Sequence, residues 1–321
     1  MKPQRLFRII DLIAKYVPEP CARALFSGIG SIVGWSSITG VKQLRRNYQR
    51  VSPSSSALAQ RRRSATAMRH YLRYYYEAFR LPYLTEDQIR ARVRVENVDR
   101  LRDMLNEGSA TGALMHMGNW DLAGAWGTKN LAPVHTVAEK LKPEEVAQTF
   151  LDLRRALGMV IYYAVKDEHV VDNLTRDMTS NNCFVPLLCD RDLSASGVEV
   201  SLCGHKARIA PGPAILAQRT ETAMFPVICV AERFNRDRQR VAQAGTSWGI
   251  RIIIGDAITP QAKPSDSWEK RTADVQRMMS QWAQYASMLL PRYLSHWHML
   301  QRVFVDDLDP QRLPSSAMEE K

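Results

Sequence analysis

From about residue 110 the chain alternates short apolar runs with helical stretches, and this alternation restricts the fold more than any other feature. Residues 112–115 (GALM), 134–138 (VHTVA), 159–164 (MVIYYA), 183–188 (CFVPLL), 224–231 (MFPVICVA) and 250–254 (IRIII) read as strands. Residues 120–128, 144–157, 168–179, 212–221 and 266–290 read as helices. Parallel strands need helical crossovers, so the pattern predicts an α/β fold with a central, mostly parallel sheet flanked by helices. Ligands of such sheets gather where strands end and loops begin.

Composition narrows the class. A 45% hydrophobic and 24% charged content over 321 residues excludes wholesale disorder, collagen and a disulfide-dense miniature. The length allows two domains or one large α/β domain. Five scattered cysteines (21, 183, 189, 203, 229) form no CxxC pair, which argues against zinc ribbons and thioredoxin-type redox and suits free thiols in a reducing compartment. No metal site is expected.

The charge is concentrated. Residues 1–73 hold 14 Lys/Arg against 2 Asp/Glu, a net of +12, whereas the remaining 248 residues hold 30 basic and 31 acidic. The formal charge of +11 therefore sits on the first quarter of the chain and implies an anionic partner surface, nucleic acid or phospholipid. Residues 4–16 place Leu6, Ile9, Ile10, Ile13 and Tyr16 at helical spacing, with Arg5, Arg8 and Lys15 elsewhere on the wheel, which predicts a basic amphipathic helix. Residues 24–41 (ALFSGIGSIVGWSSITGV) are apolar but rich in Gly and Ser, suited to dipping into a bilayer surface or packing on a neighbour. Arg45, Arg46, Arg50, Arg61, Arg62, Arg63, Arg69 and Arg73 then interleave with Tyr71, Tyr74, Tyr75, Tyr76 and Phe79. Such a stretch can stack nucleobases or anchor at a lipid interface. The apolar segment just upstream favours lipid.

The first predicted strand ends in His116-Met117-Gly118-Asn119-Trp120-Asp121. A histidine at a strand terminus, followed by a Gly-Asn turn and a carboxylate opening a helix, suits general-base chemistry, and the turn is expected to bring Asp121 towards the imidazole. A second carboxylate, Asp190, follows the strand CFVPLL, where a parallel neighbour presents it to the same edge; read alone, Asp190 and Asp192 around Arg191 also suit a loop cap. His296-Trp297-His298 has metal-like spacing without a third ligand, so packing or substrate contact fits better, and His135 reads as core.

HMGNWD is similar to the His-x4-Asp/Glu signature of the glycerolipid and lipid A acyltransferase superfamily. The blocks YYEAFRLP (75–82), HMGNWDLAGAW (116–126), TVAEKLKPE (136–144), DRDLSASGVEV (190–200), PGPAILA (211–217) and WHMLQ (297–301) resemble more closely the actinobacterial phosphatidylinositol mannoside acyltransferases, in the expected order over residues 40–305. The resemblance implies transfer of a fatty acyl group, palmitoyl expected, from acyl-CoA to a mannose hydroxyl of a phosphatidylinositol mono- or dimannoside, with acyl-CoA as co-substrate and no cofactor. It implies His116 as base with Asp121 or Asp190 as its partner. Relatives usually carry a glutamate at the position of Asp190, so this chain has the shorter reach. It further implies substrate binding by Arg154, Lys140, Glu139, Arg191 and Arg208, Lys140 standing where relatives often have arginine. No G-x-S-x-G elbow is present, as suits direct attack by the acceptor hydroxyl without an acyl-enzyme.

The expected organisation is a membrane-associating segment at 1–50, an acyltransferase domain at 51–305 and a tail at 306–321. The expected site of action is the cytoplasmic face of the inner membrane, as a peripheral protein on an anionic surface. Two alternatives stand beside this reading: an acyltransferase for another lipid such as lipid A, against which blocks 136–144 and 190–200 argue, and a basic nucleic-acid-binding protein, which leaves HMGNWD unexplained.

Overall fold

A computed structural model describes residues 3–54, 56–139, 144–164, 169–192 and 197–308. The chain opens with helices α1 (Pro3–Tyr16), α2 (Glu19–Trp35), α3 (Thr39–Val51) and α4 (Ala57–Arg80). Next come α5 (Glu86–Arg92), β1 (Val93–Glu96), α6 (Asp99–Glu107), β2 (Ala110–Leu114), α7 (Trp120–Asn130), β3 (His135–Ala138), α8 (Glu144–Ala156), β4 (Val160–Tyr163), α9 (Val170–Ser180) and β5 (Phe184–Leu188). A hairpin of β6 (Val198–Leu202) and β7 (His205–Ile209) leads to α10 (Gly212–Arg219), β8 (Met224–Arg233), α11 (Arg238–Ala244), β9 (Trp248–Ile254) and α12 (Trp268–Leu289).

The central sheet has the order β1-β9-β8-β2-β5, parallel throughout except between β8 and β9. Strands β3 and β4 pair in parallel beside it, Val134 bridging to Phe184. This is the mixed α/β architecture that the strand–helix alternation predicts. Strands β1 (VRVE), β6 (VEVSL) and β7 (HKARI) escape that reading because each mixes charged with apolar residues and offers no apolar run.

Both faces of the sheet are covered. Ala113, Ile228 and Val230 meet Met278, Met279 and Trp282 of α12 on one side, while Leu114, Val227, Cys229 and Ile252 meet Ile89, Leu122 and Trp126 on the other. Period-two alternation within strands apolar on both faces is what burial between two helical layers demands. The Trp282 indole donates to the Ala113 carbonyl at 3.0 Å, tying α12 to β2.

The apolar segment 24–41 is not one helix: α2 ends at Trp35, and α3 leaves at 79°. Among the described residues no single helix is long and apolar enough to cross a membrane, although this bent pair passes by length and composition together. The glycines of α2 serve close packing on α4. A Cβ at Gly30 would lie 2.5 Å from the Met68 carbonyl oxygen, and one at Gly34 would lie 2.4 Å from Ala65 Cα. The tyrosines of α4 turn mostly inward, Tyr74 and Tyr76 being buried, so they are not free to stack on bases. By contrast Leu6, Ile9, Leu12 and Tyr16 of α1, Leu25, Ile29, Ile32 and Trp35 of α2, and Ile38 stand exposed. Helix α3 lies in the main core, where Leu44 and Tyr48 pack with Trp297.

Candidate active site

Strands β2 and β5 run parallel with Leu114 opposite Leu188, so His116 and Asp190 each lie two residues beyond one register pair at the same sheet edge. The chain then turns sharply. Gly118 has φ +62°, and a Cβ there would lie 2.5 Å from the Cys229 carbonyl oxygen, so both backbone and space require glycine. Asn119 caps α7, its Oδ1 accepting from the Leu122 N–H at 2.9 Å.

The Asp190 carboxylate is fully buried and accepts three hydrogen bonds. Oδ1 takes the His116 Nδ1–H at 2.6 Å; Oδ2 takes the His116 backbone N–H at 3.0 Å and the Trp297 indole N–H at 2.7 Å. Burial by itself would push this carboxyl up, but the His116 charge and these donors hold it below the usual carboxylate range. Burial likewise pulls the imidazolium down, and the Asp190 charge and hydrogen bond outweigh it, leaving His116 above its ordinary value. With Nδ1 bound to Asp190, Nε2 is the nitrogen left to exchange a proton. The shorter aspartate thus reaches the imidazole.

Asp121 does not turn back to His116 as the turn suggested. It falls in the first turn of α7 on the face towards α4 and α8. Its Oδ1 accepts from Arg154 Nε at 2.6 Å and its Oδ2 from the Tyr74 hydroxyl at 2.6 Å. Arg154, expected from the resemblance to bind substrate, is held by Asp121 with 18% of its side chain exposed, and both line the cavity that opens at His116. Burial pulls this guanidinium down, yet the Asp121 and Tyr74 partners more than restore it. The pair clamps α8 to α7 and α4.

A cavity of about 570 Å³ opens at His116 and runs into the core. Asp121, Thr136, Glu139, Arg154, Arg191 and Asp192 line it together with His116, while Trp126, Val134, Met159, Phe184, Leu216 and Ile252 are among its apolar walls. That volume is within the roughly 300–1,000 Å³ of small-ligand pockets. Arg191 donates to Glu139 at 3.1 Å. Arg208, on β7, is buried and is not in this wall, while Gly212 and Pro213 at the start of α10 are. Lys140 and residues 193–196 lie outside the described residues, as do 309–321 of the expected tail.

Three supporting residues escape sequence reasoning. Trp297 is fully buried beneath Asp190, and its carbonyl accepts from the Tyr48 hydroxyl at 2.7 Å. Asn47, also on α3, donates to the carbonyls of Met299 and Gln301 at 2.9 and 2.8 Å. Block 297–301 marks the place, but nothing local to the sequence ties it to Asp190. His135 bonds Asp177 at 2.7 Å and takes no part in this site. Among the described residues no three His, Cys, Asp or Glu side chains are grouped to hold a metal, and all five cysteines are free thiols.

Comparison with known proteins follows the same lines. The phosphatidylinositol mannoside acyltransferase of Mycolicibacterium smegmatis is 31% identical over 301 residues, covering 94% of this chain and 90% of that protein. The enzyme of the same name from Mycobacterium tuberculosis is 30% identical over 276 residues, 85% of this chain and 80% of its own. The family pattern described as bacterial lipid A biosynthesis acyltransferase matches residues 6–304. Continuous over the four opening helices, the sheet and the His116 edge, these matches make the chain an acyltransferase that belongs to the bacterial lipid A biosynthesis acyltransferase family.

Proposed function

We propose that this acyltransferase moves a fatty acyl group from acyl-CoA to a mannose hydroxyl of a phosphatidylinositol mannoside, with His116 as general base. The observation that carries the reading is the His116–Asp190 pair at the mouth of a deep apolar cavity. An acyl chain fits such walls, since each buried methylene is worth about 0.8 kcal/mol. The relatives' names supply the acceptor.

In the reaction, His116 Nε2 removes the hydroxyl proton as the oxygen attacks the thioester carbonyl. The carbon–sulfur bond of the tetrahedral intermediate breaks, and the proton passes from the imidazolium to the departing CoA thiolate. Asp190 keeps the Nδ1 proton in place and stabilises the imidazolium. Gly118 N–H is bonded to the His296 carbonyl at 3.1 Å, so it is not a ready oxyanion donor. Arg191 at the mouth suits the CoA phosphates or the acceptor sugar.

The same reading places the enzyme at the cytoplasmic surface of the cell membrane. Apolar side chains of α1 and α2 face outward, and Arg5, Arg8, Lys15, Arg61 and Arg62 are exposed cations suited to anionic headgroups.

The test is transfer of label from radiolabelled palmitoyl-CoA to phosphatidylinositol dimannoside by the purified chain, with His116→Ala alongside. Label in the mannolipid with wild type alone supports the reading. Thioester hydrolysis without labelled mannolipid removes the acceptor, and no consumption of acyl-CoA removes the site.

A further inference from the structure

A second, smaller recess adjoins the His116 turn, with Gly118 and Asn119 forming part of its wall. Arg23 and Arg73 line it, and with Arg233 they surround the ring of Trp248, at 4.7, 5.2 and 5.4 Å from its centroid respectively. Each gains from the indole face, but three like charges around one ring repel one another. Arg23 is neutralised by Glu77, whose other oxygen accepts from Asn119 at 3.2 Å. Glu77 also lies close enough to act on the Arg73 charge, though without an ion pair, and Arg73 donates to the Arg69 carbonyl and to His70 Nδ1; Arg233 has no carboxylate within ion-pair distance among the described residues. Glu77 offsets one of these three charges, and the cluster keeps a net positive charge.

Glu77 lines the interior too, its two oxygens taken by Arg23 and Asn119. His298 is 6% exposed, lines the recess, and has no hydrogen-bond partner at either ring nitrogen. An imidazole buried in that state loses the hydration of its ring nitrogens without a replacement partner. His296 Nδ1 accepts from the Ala231 N–H at 3.3 Å and His70 Nδ1 accepts from Arg73 at 2.9 Å, which leaves each ring a donor at Nε2. The internal free space is about 10 Å³, room for one water-sized group.

We infer that this recess binds a phosphate group, one oxygen entering among the histidines while Arg73 and Arg233, beside Trp248, hold the others. Two ligands of the proposed reaction carry phosphate: the inositol phospholipid acceptor and CoA. The position favours the acceptor. The His298 backbone N–H donates to the His116 carbonyl at 2.8 Å, so a phosphate here lies close to the base, as a headgroup bearing sugar beside its phosphate requires. CoA keeps its phosphates a full pantetheine arm from the reacting thioester. The inference rests on the acceptor reading given above and sharpens it to a contact.

The experiment is calorimetric titration of the full chain with inositol 1-phosphate and, separately, with CoA at one ionic strength. It compares wild type, Arg73→Gln and Arg233→Gln, with thermal melts confirming folding. Arg233 is exposed, so that variant keeps the test open if Arg73→Gln misfolds. The expected result is a loss of at least tenfold in inositol 1-phosphate affinity in both variants with CoA affinity unchanged. A loss confined to CoA keeps the recess as a phosphate site but gives it to the donor. Affinities untouched by either variant, or no binding of either ligand by wild type, overturn the inference. Binding is read without turnover, so wild type that binds inositol 1-phosphate yet leaves the mannolipid unlabelled removes the acceptor reading alone.

Discussion

The indole N–H of Trp297 donates to Asp190 Oδ2 at 2.7 Å, while the other carboxylate oxygen holds His116 at 2.6 Å. One buried carboxylate thus joins the reacting edge of the sheet to a segment more than a hundred residues further along. Trp297→Phe keeps the ring and removes the donor. A hydrogen bond to a charged group is worth about 1.5–3 kcal/mol, so turnover should fall by on the order of tenfold or more. A carboxylate with one donor fewer holds the imidazolium proton more tightly, so the acidic limb of kcat/KM should move upward. Asp190→Asn removes the negative charge and should move it downward. Limbs moving the same way in both variants would contradict this arrangement.

His116→Ala should fold and bind vesicles like wild type while losing on the order of 10²–10⁴ in turnover, the usual contribution of a general base. Substantial residual transfer would remove His116 from that role.

A base role for His116, as proposed, requires it unprotonated, and the Asp190 partnership raises its value. The rate should therefore climb with pH through an apparent value above the ordinary ~6.5 of histidine. The stability contributed by the raised His116 is present below ~6.5 and lost as pH rises through the folded value, while that of the depressed Asp190 is lost in acid. A limb below 6 in a pH–rate profile would count against the pair.

Asp121 and Arg154 form a buried pair whose disruption should be structural first. Asp121→Asn or Arg154→Met alone strands a buried charge and should cost about 3–5 kcal/mol in urea unfolding, whereas the double variant should recover part of it. The acidic limb of kcat/KM should stay in place in all three. Additive losses in the double variant would show that the two side chains act independently.

Three imidazoles are held neutral. Burial, followed by neighbouring charges, lowers His296 to about 4 and His298 to about 3, and drives His70 well below its ordinary value. The unfolded chain binds these protons near 6.5, so stability should fall as pH drops from ~6.5 towards 4, by about 1.4 kcal/mol per pH unit for each histidine. His296→Gln should flatten this slope in urea titrations at stepped pH, and an unchanged slope would refute the assignment.

Ile32 is 74% exposed and Leu12 48% exposed, so Leu12→Ser with Ile32→Ser should leave the melting temperature nearly unchanged. The same pair should weaken co-sedimentation with anionic vesicles, and Arg61→Gln with Arg62→Gln should weaken it in a salt-dependent way. Vesicle binding indifferent to both pairs would sink the proposed membrane face.

Much of this protein was legible along the chain because the deciding interactions are local or periodic. Six apolar runs set between helical stretches determine an α/β sheet, whereas the glycines of segment 24–41 suit either a bilayer surface or a neighbour, and the structure packs Gly30 and Gly34 on α4. His116 and Asp190 are each legible at a strand end, but the register that sets them side by side is seen only in the structure. Local order fails where partners are distant. The turn after His116 suggested Asp121 as the imidazole's partner, but the rotation of α7 gives it to Arg154 and Tyr74, from helices far apart in sequence. Trp297 beneath Asp190, α3 bracing the segment that carries it, and three arginines around Trp248 are likewise products of tertiary packing. Sequence spacing fixes which residues share a strand or a helix face. Which buried charge meets which donor depends on how those faces close, because a charge taken out of water must find its partner wherever the fold supplies one.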